Sequence, residues 1–206
     1  MAMLYYVHDP MCSWCWSFDP VRRELLDGLP ENVTVRRLLG GLAPDTDQPM
    51  PDAMRTTLQA TWRRIQQSIP GTEFNFGFWS DCRPRRSTWP ACRAVIAARS
   101  QAAGFDEVMT RAVQKAYYLQ ARNPSDDTTL VELAVEIGLQ EQVFSEALTA
   151  EATQQILLDE MAEARRLQVD SFPGLALQVD DSVWRIPVDY LNSQPMLDLI
   201  RQLIID

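Results

Sequence analysis

Cys12 and Cys15 are separated by two residues in Asp9-Pro10-Met11-Cys12-Ser13-Trp14-Cys15-Trp16, directly after a short apolar run, Leu4 to Val7, that reads as a strand. A strand followed by Cys-x-x-Cys at the start of a helix is the setting of a redox dithiol. The thiolate is the form that attacks a disulfide, and a cysteine at a helix N-terminus faces unpaired N–H groups and the positive end of the helix dipole. Cys12 takes that place and is expected to be the nucleophile and the more exposed thiol. Cys15, one turn on, is near enough to close a ring with it and resolve a mixed disulfide.

Other residue types near these cysteines have bland readings as well as chemical ones. Cys12 and Cys15 could supply half of a zinc site, but Cys82 and Cys92 have nine residues between them and make no second knuckle, so no metal is expected. His8 could tune the thiolate or satisfy a backbone carbonyl. Cys92, with Cys82, flanks a basic loop, Arg83-Pro84-Arg85-Arg86, and is either an auxiliary thiol or a small buried apolar side chain. Arg93 could line a cleft and meet a carboxylate such as those of glutathione. Trp14, between the cysteines, puts a wide apolar face beside the sulfur and suits peptide substrates. Trp62, Trp79, Trp89 and Trp184 read as core or cleft walls.

These residues need elements to hold them. Trp14 to Leu26 reads as a helix that stops near Asp27-Gly28-Leu29-Pro30, and Val33 to Leu39 as a β-branched strand, making a βαβ unit with a parallel pair. After a Pro- and Asp-rich loop from Ala43 to Pro51 the periodicity turns helical. Helices are expected over Ala53–Ser68, Trp89–Ala103, Phe105–Leu119, Thr128–Ile137, Gln140–Leu148 and Ala152–Leu167. Asp126-Asp127 and Thr149 are candidate N-caps, Gly104 and Gly138 mark helix ends, and Phe74 to Trp79 reads as an aromatic loop packed on the helices. Strands return at Leu175–Val179 and Val183–Ile186, joined by a turn at Asp180-Asp181, and a helix from Pro195 to Ile205 closes the chain. The order βαβ, helical block, ββα predicts an α/β fold: residues 1–42 and 152–206 form one discontinuous domain, and residues 43–151 an all-α insertion.

The 206 residues, 46% of them hydrophobic, suffice for a sizeable core. A formal net charge of −9 opposes a nucleic-acid partner or an anionic membrane surface. Met1 to Val7 has no basic n-region, and no segment reaches the length of a membrane span, so the expected compartment is the cytoplasm. In a reducing cytosol cysteines are catalytic or free more often than bridged.

Ser171-Phe172-Pro173-Gly174 precedes the returning strand. Alone it is an ordinary turn. With a dithiol after the first strand, Pro173 is expected to be cis, opposite Cys12, with the Phe172 backbone offered to an extended substrate. Together with the cysteine segment and Pro90-Ala91-Cys92-Arg93-Ala94, this turn makes the whole chain similar to the disulfide oxidoreductases typified by DsbA: a thioredoxin-like fold with a small mixed central sheet and an inserted helical domain. The resemblance implies a nucleophile at Cys12, a resolving thiol at Cys15 and substrate docking against Phe172 and Pro173. Ser13-Trp14 replaces the Pro-His of the strongly oxidising members, and neither residue carries a charge that would stabilise a thiolate. A potential between about −150 and −270 mV is expected. Direction follows from compartment as well: a pair at about −120 mV facing a pool near −260 mV would lie about 6.5 kcal/mol toward the dithiol, which favours reduction or isomerisation over net oxidation.

The expected partners are protein or small-molecule disulfides and thiols, with glutathione as a co-substrate and no bound cofactor. Two alternatives are a glutathione-dependent transferase or isomerase, of the kappa or hydroxychromene-carboxylate-isomerase kind, and a non-catalytic binding module. The first places a lone serine or thiol at the helix start, against which a complete Cys-x-x-Cys counts.

Overall fold

In the computed structural model, which describes residues 2–205, the first strand is buried on both faces, and this explains why it reads as an unbroken apolar run. β1 (Ala2–His8) pairs in parallel with β2 (Val33–Leu39) and antiparallel with β3 (Gly174–Val179), which pairs antiparallel with β4 (Ser182–Ile186). The strand order is β2-β1-β3-β4. Side chains alternate across the sheet. Leu4 and Tyr6 meet Phe18, Val21 and Leu25 of α1 (Ser13–Asp27), together with Met196, Leu197 and Ile200 of the C-terminal helix. Tyr5 and Val7 meet Leu38, Ala164, Leu167, Val169 and Ala176 on the opposite face. This is the expected thioredoxin-like arrangement, with strands and helices in the predicted order.

The chain forms two compact units, Met1–Gly40 with Glu160–Asp206, and Gly41–Asp159. The return crossing falls at Glu160, inside a helix; residues 1 and 206 lie outside the described residues. The second unit is all-α and contains α2 (Asp52–Ser68), α3 (Phe78–Asp81), α4 (Trp89–Gln101), α5 (Phe105–Tyr118), α6 (Asp127–Glu136) and α7 (Glu141–Thr149). α8 (Glu151–Arg166) follows, and α9 (Gln194–Ile205) ends the chain. Trp62 is the hub of an aromatic core in that unit, stacked on Phe74 at 4.8 Å and edge-on to Tyr117 and Tyr118. The predicted aromatic loop packs there, and its end winds into α3.

Asp126 is the N-cap of α6, as expected, but without a side-chain cap bond, and Thr149 caps no helix start. The Asp126 carboxylate is taken by Asn123 Nδ2 at 2.8 Å and by Arg85 at 2.8 Å, so it caps no N–H of α6. Thr149 ends α7 and donates its hydroxyl back to the Ser145 carbonyl at 3.3 Å. Short polar side chains compete for the nearest backbone group, and here the preceding turn wins.

The active end of the sheet depends on close packing. A carboxylate oxygen of Glu160, itself buried, accepts the Leu39 N–H at 2.8 Å, and Gly40 N–H donates to the His8 carbonyl at 2.7 Å. A methyl group on Gly40 would fall 2.1 Å from the Phe172 ring. Gly40→Ala should therefore lower stability by about 1–3 kcal/mol in urea unfolding, the usual cost of an overpacked contact. Adding Phe172→Ala should remove most of the penalty due to the methyl group; an undiminished penalty would place the strain elsewhere.

Candidate active site

β1 ends at His8, and Asp9-Pro10-Met11 turns the chain into α1. The turn is held by the buried Asp9: its side chain accepts the Met11 N–H at 2.8 Å and its carbonyl accepts the Cys12 N–H at 3.0 Å. Cys12 is the N-cap, with extended backbone, and its carbonyl receives the Trp16 N–H at 3.1 Å to close the first helical turn. The Cys12 sulfur thus sits at the positive end of α1, with no acidic residue in the first turn to oppose it.

Both thiols are free, and both are largely covered, Cys12 at 6% exposure and Cys15 at 1%. Cys12 Sγ donates to the Phe172 carbonyl at 3.4 Å, and the Phe172–Pro173 peptide is cis. The two segments singled out in the sequence therefore meet at one sulfur. Burial pushes the Cys15 thiol well above its ordinary range, helped by its hydrogen bond to Cys12 and the charge Cys12 would carry; the Asp9 backbone amide opposes this, while the Asp9 carboxylate adds to it. Cys15 holds its proton until something else takes it.

A buried ionic stripe runs behind the pair. Asp19 and Arg22 lie four and seven residues after Cys15, on the same helix face, and pair at 2.7 Å; Arg23 also reaches Asp19, at 3.2 Å. The Arg22 guanidinium stands 5.5 Å over the Tyr6 ring. Burial, followed by the charge on Cys15, pushes the Tyr6 phenol well up, and Arg22 pulls against them. His8 stacks on Tyr6 at 4.8 Å with the rings nearly parallel, which gives it an aromatic packing role.

Trp14 is half-buried, 5.2 Å from the ring of Tyr190, which also meets Phe18 edge-on at 5.8 Å. Phe172 directs its ring toward Gly40, so the loop offers its backbone rather than that ring beside Cys12. Cys92 and Arg93 belong to the second unit. Cys92 is fully buried in α4 among alanines, the packing of a small core side chain, and Arg93 is held bidentately by Asp45 at 2.8 and 3.0 Å and by Gln154 at 2.9 Å. Cys82 donates to the Ala121 carbonyl at 2.9 Å, and burial, then Asp126 and Asp81, raises its pKa. Among the described residues no cluster of three metal-ligating side chains occurs, and no helix is long and apolar enough to cross a membrane. Tyr190, Asp9 and the Asp19–Arg22 pair were not assigned roles from the sequence. Only the last has a spacing signal, the i, i+4, i+7 repeat from Cys15.

A family model described as a DSBA-like thioredoxin domain matches residues 4–192. Among solved structures, the cytosolic disulfide reductase DsbM of Pseudomonas aeruginosa is 26% identical with a TM-score of 0.78, over 99% of this chain and 100% of that one. A structure of DsbM with GSH is 25% identical with a TM-score of 0.74, covering 98% of each chain. The ClpXP adapter protein SpxH of Bacillus subtilis is 24% identical over 91% of this chain, which spans 62% of that relative's length.

At pH 7 to 8, iodoacetamide should modify Cys12 before Cys15 in peptide mapping, because the Cys15 thiolate is suppressed; preferential labelling of Cys15 would reverse the two roles. The same suppression links pH to stability. An unfolded thiol ionises near about 8.5 while folded Cys15 stays protonated, so the unfolded state binds fewer protons above that pH and stability falls as pH rises, at up to about 1.4 kcal/mol per pH unit. Urea unfolding of the reduced protein between pH 7.5 and 9.5 should follow that fall, and Cys15→Ser should flatten it.

Proposed function

We propose, because this chain belongs to the DSBA-like thioredoxin domain family, that it is a thiol-disulfide oxidoreductase in which Cys12 attacks and Cys15 resolves, working as a reductase or isomerase. The observation that carries this reading is the Cys12 sulfur at the start of α1, 3.4 Å from the Phe172 carbonyl beside cis Pro173, with Cys15 one turn behind. The Cys12 thiolate attacks one sulfur of a substrate disulfide; a Cys12–substrate bond forms and the other half leaves as a thiolate. Cys15 then gives up its proton and attacks the Cys12 sulfur, closing the Cys12–Cys15 disulfide and releasing the second substrate thiolate. Two external thiols, glutathione by preference, return the pair to the dithiol and leave as a disulfide.

The main chain at Phe172 supplies direction without sequence preference, as strand-like pairing to an extended substrate does. Trp14 and Tyr190 add an apolar wall. Glutathione and a cytosolic setting are supported by the description of DsbM and by its structure with GSH. The absence of charge in Ser13-Trp14 supports a potential between about −150 and −270 mV rather than that of a strong oxidant.

A second reading, a binding module that delivers a partner to a protease, is favoured by the adapter name of the curated relatives. It needs no sulfur chemistry. Cys12→Ser should reduce turnover of a mixed disulfide substrate to the uncatalysed rate. Cys15→Ser should stop after one event with a glutathionyl group on Cys12, visible by mass. A wild-type chain that turns over no disulfide, with partner binding unchanged by Cys12→Ser, would favour the second reading.

A further inference from the structure

The second unit holds a cavity of about 370 Å³ that no step of the exchange chemistry uses, a volume within the range of small-ligand pockets. Two segments distant in sequence frame it. Pro49 and Arg85 form an isolated antiparallel bridge, and the Met50 N–H donates to the Pro84 carbonyl at 2.8 Å. Arg55, on α2, donates to the Trp79 carbonyl at 2.5 Å, and Cys82, just after α3, donates to the Ala121 carbonyl at 2.9 Å. The walls are thereby fixed before anything binds, which lowers the ordering cost of binding.

Pro49, Met50 and Pro84 give the cavity an apolar wall, with Met50 and Pro84 buried. Arg55, Arg83 and Arg85 line the same space, and their existing commitments differ. Arg85 donates to the Ser125 carbonyl and pairs with Asp126 at 2.8 Å, while its Nε is buried with no hydrogen-bond partner. Beyond its bond to Trp79, Arg55 has a 3.6 Å ion pair with the exposed Asp52. Arg83 is exposed and, among the described residues, has no hydrogen bond or ion pair. Asp47, also exposed, is the acidic side chain of the lining. Three guanidinium groups against one lining carboxylate make a positive concavity in a chain of formal net charge −9. A concavity lined by one sign of charge focuses the field and draws small counter-ions.

A guanidinium fork matches a carboxylate in shape as well as charge, through two parallel N–H···O bonds. The apolar wall decides what carries that carboxylate. A hydrated inorganic ion gains nothing from Met50 and the prolines, whereas a short hydrocarbon chain is taken out of water there. We propose that this cavity is a binding site for a small aliphatic carboxylate, its acid group on Arg83 and Arg55 and its chain against Pro49, Met50 and Pro84. The site lies wholly within the second unit and does not depend on the disulfide-exchange reading. Cys82 also lines it, so that thiol reports occupancy.

The test is a calorimetric titration of the intact, reduced chain with hexanoate at pH 8 and constant ionic strength. Inorganic phosphate, which keeps the charge and lacks the chain, and 1-hexanol, which keeps the chain and lacks the charge, are the comparisons. Hexanoate should bind at one site. At saturation it should slow N-ethylmaleimide labelling of Cys82 severalfold in peptide mapping and leave the labelling of Cys12 in the same sample unchanged. Arg83→Gln breaks no bond of the fold and should weaken hexanoate binding about tenfold, the loss of a charge-assisted hydrogen bond. Absence of hexanoate binding overturns the proposal, as does binding that Arg83→Gln leaves unchanged. Phosphate that binds as tightly as hexanoate would reduce the cavity to an unselective anion patch, and hexanol that does so would leave the arginines without a role; either result also overturns it.

Discussion

Antiparallel pairing of β1 with β3 makes one site from two distant parts of the chain. Val7 lies opposite Gly174, so the turn that leaves β1 and the loop that enters β3 emerge at the same end of the sheet. Cys12 and Phe172, 160 positions apart, are thereby brought within a hydrogen bond. A register slip of one residue would turn Tyr6 and Leu4 to the wrong face and move the proline loop away from the sulfur. The two buried faces of β1 hold the register, because each face has its own apolar cluster to lose.

The asymmetry of the two thiols follows from their positions on α1. Cys12 caps the helix, where N–H groups lack carbonyl partners. Cys15 lies one turn inside, against β1, and burial holds its proton. An ion pair as deep as Asp19–Arg22 adds little net stability, since desolvation offsets attraction, but loss of either partner would strand a charge in the core.

Most of the fold was readable because its signals are local. The strand Val33–Leu39 follows from its β-branched run, and the break before α5 at Gly104 and the stop of α6 before Gly138 follow from glycines with positive φ. Element ends shifted by a residue or two where frayed turns decide them. The cysteine pair and the Phe172-Pro173 turn were legible as chemistry because few residue types can do that work. Tyr190 was not: a single tyrosine before Leu191-Asn192-Ser193 has no spacing to mark it, and only the folded chain brings it to Trp14. The missing side-chain cap at Asp126 shares that cause, since Arg85 reaches it only in the folded chain, whereas Thr149 is diverted locally, to the Ser145 carbonyl of its own helix.

The carboxylate of Glu160 on the Leu39 N–H joins the last residue pair of β2 to the point where the chain returns from its excursion through the helices. The entry and exit of that excursion are thus stapled to one corner of the sheet. A loop whose ends are already together costs little more to close when it is made longer, since the closure entropy grows only with the logarithm of its length. At this corner the length of the excursion weighs little on closure, and the register that brings sulfur and proline together is held by pairing within the sheet unit.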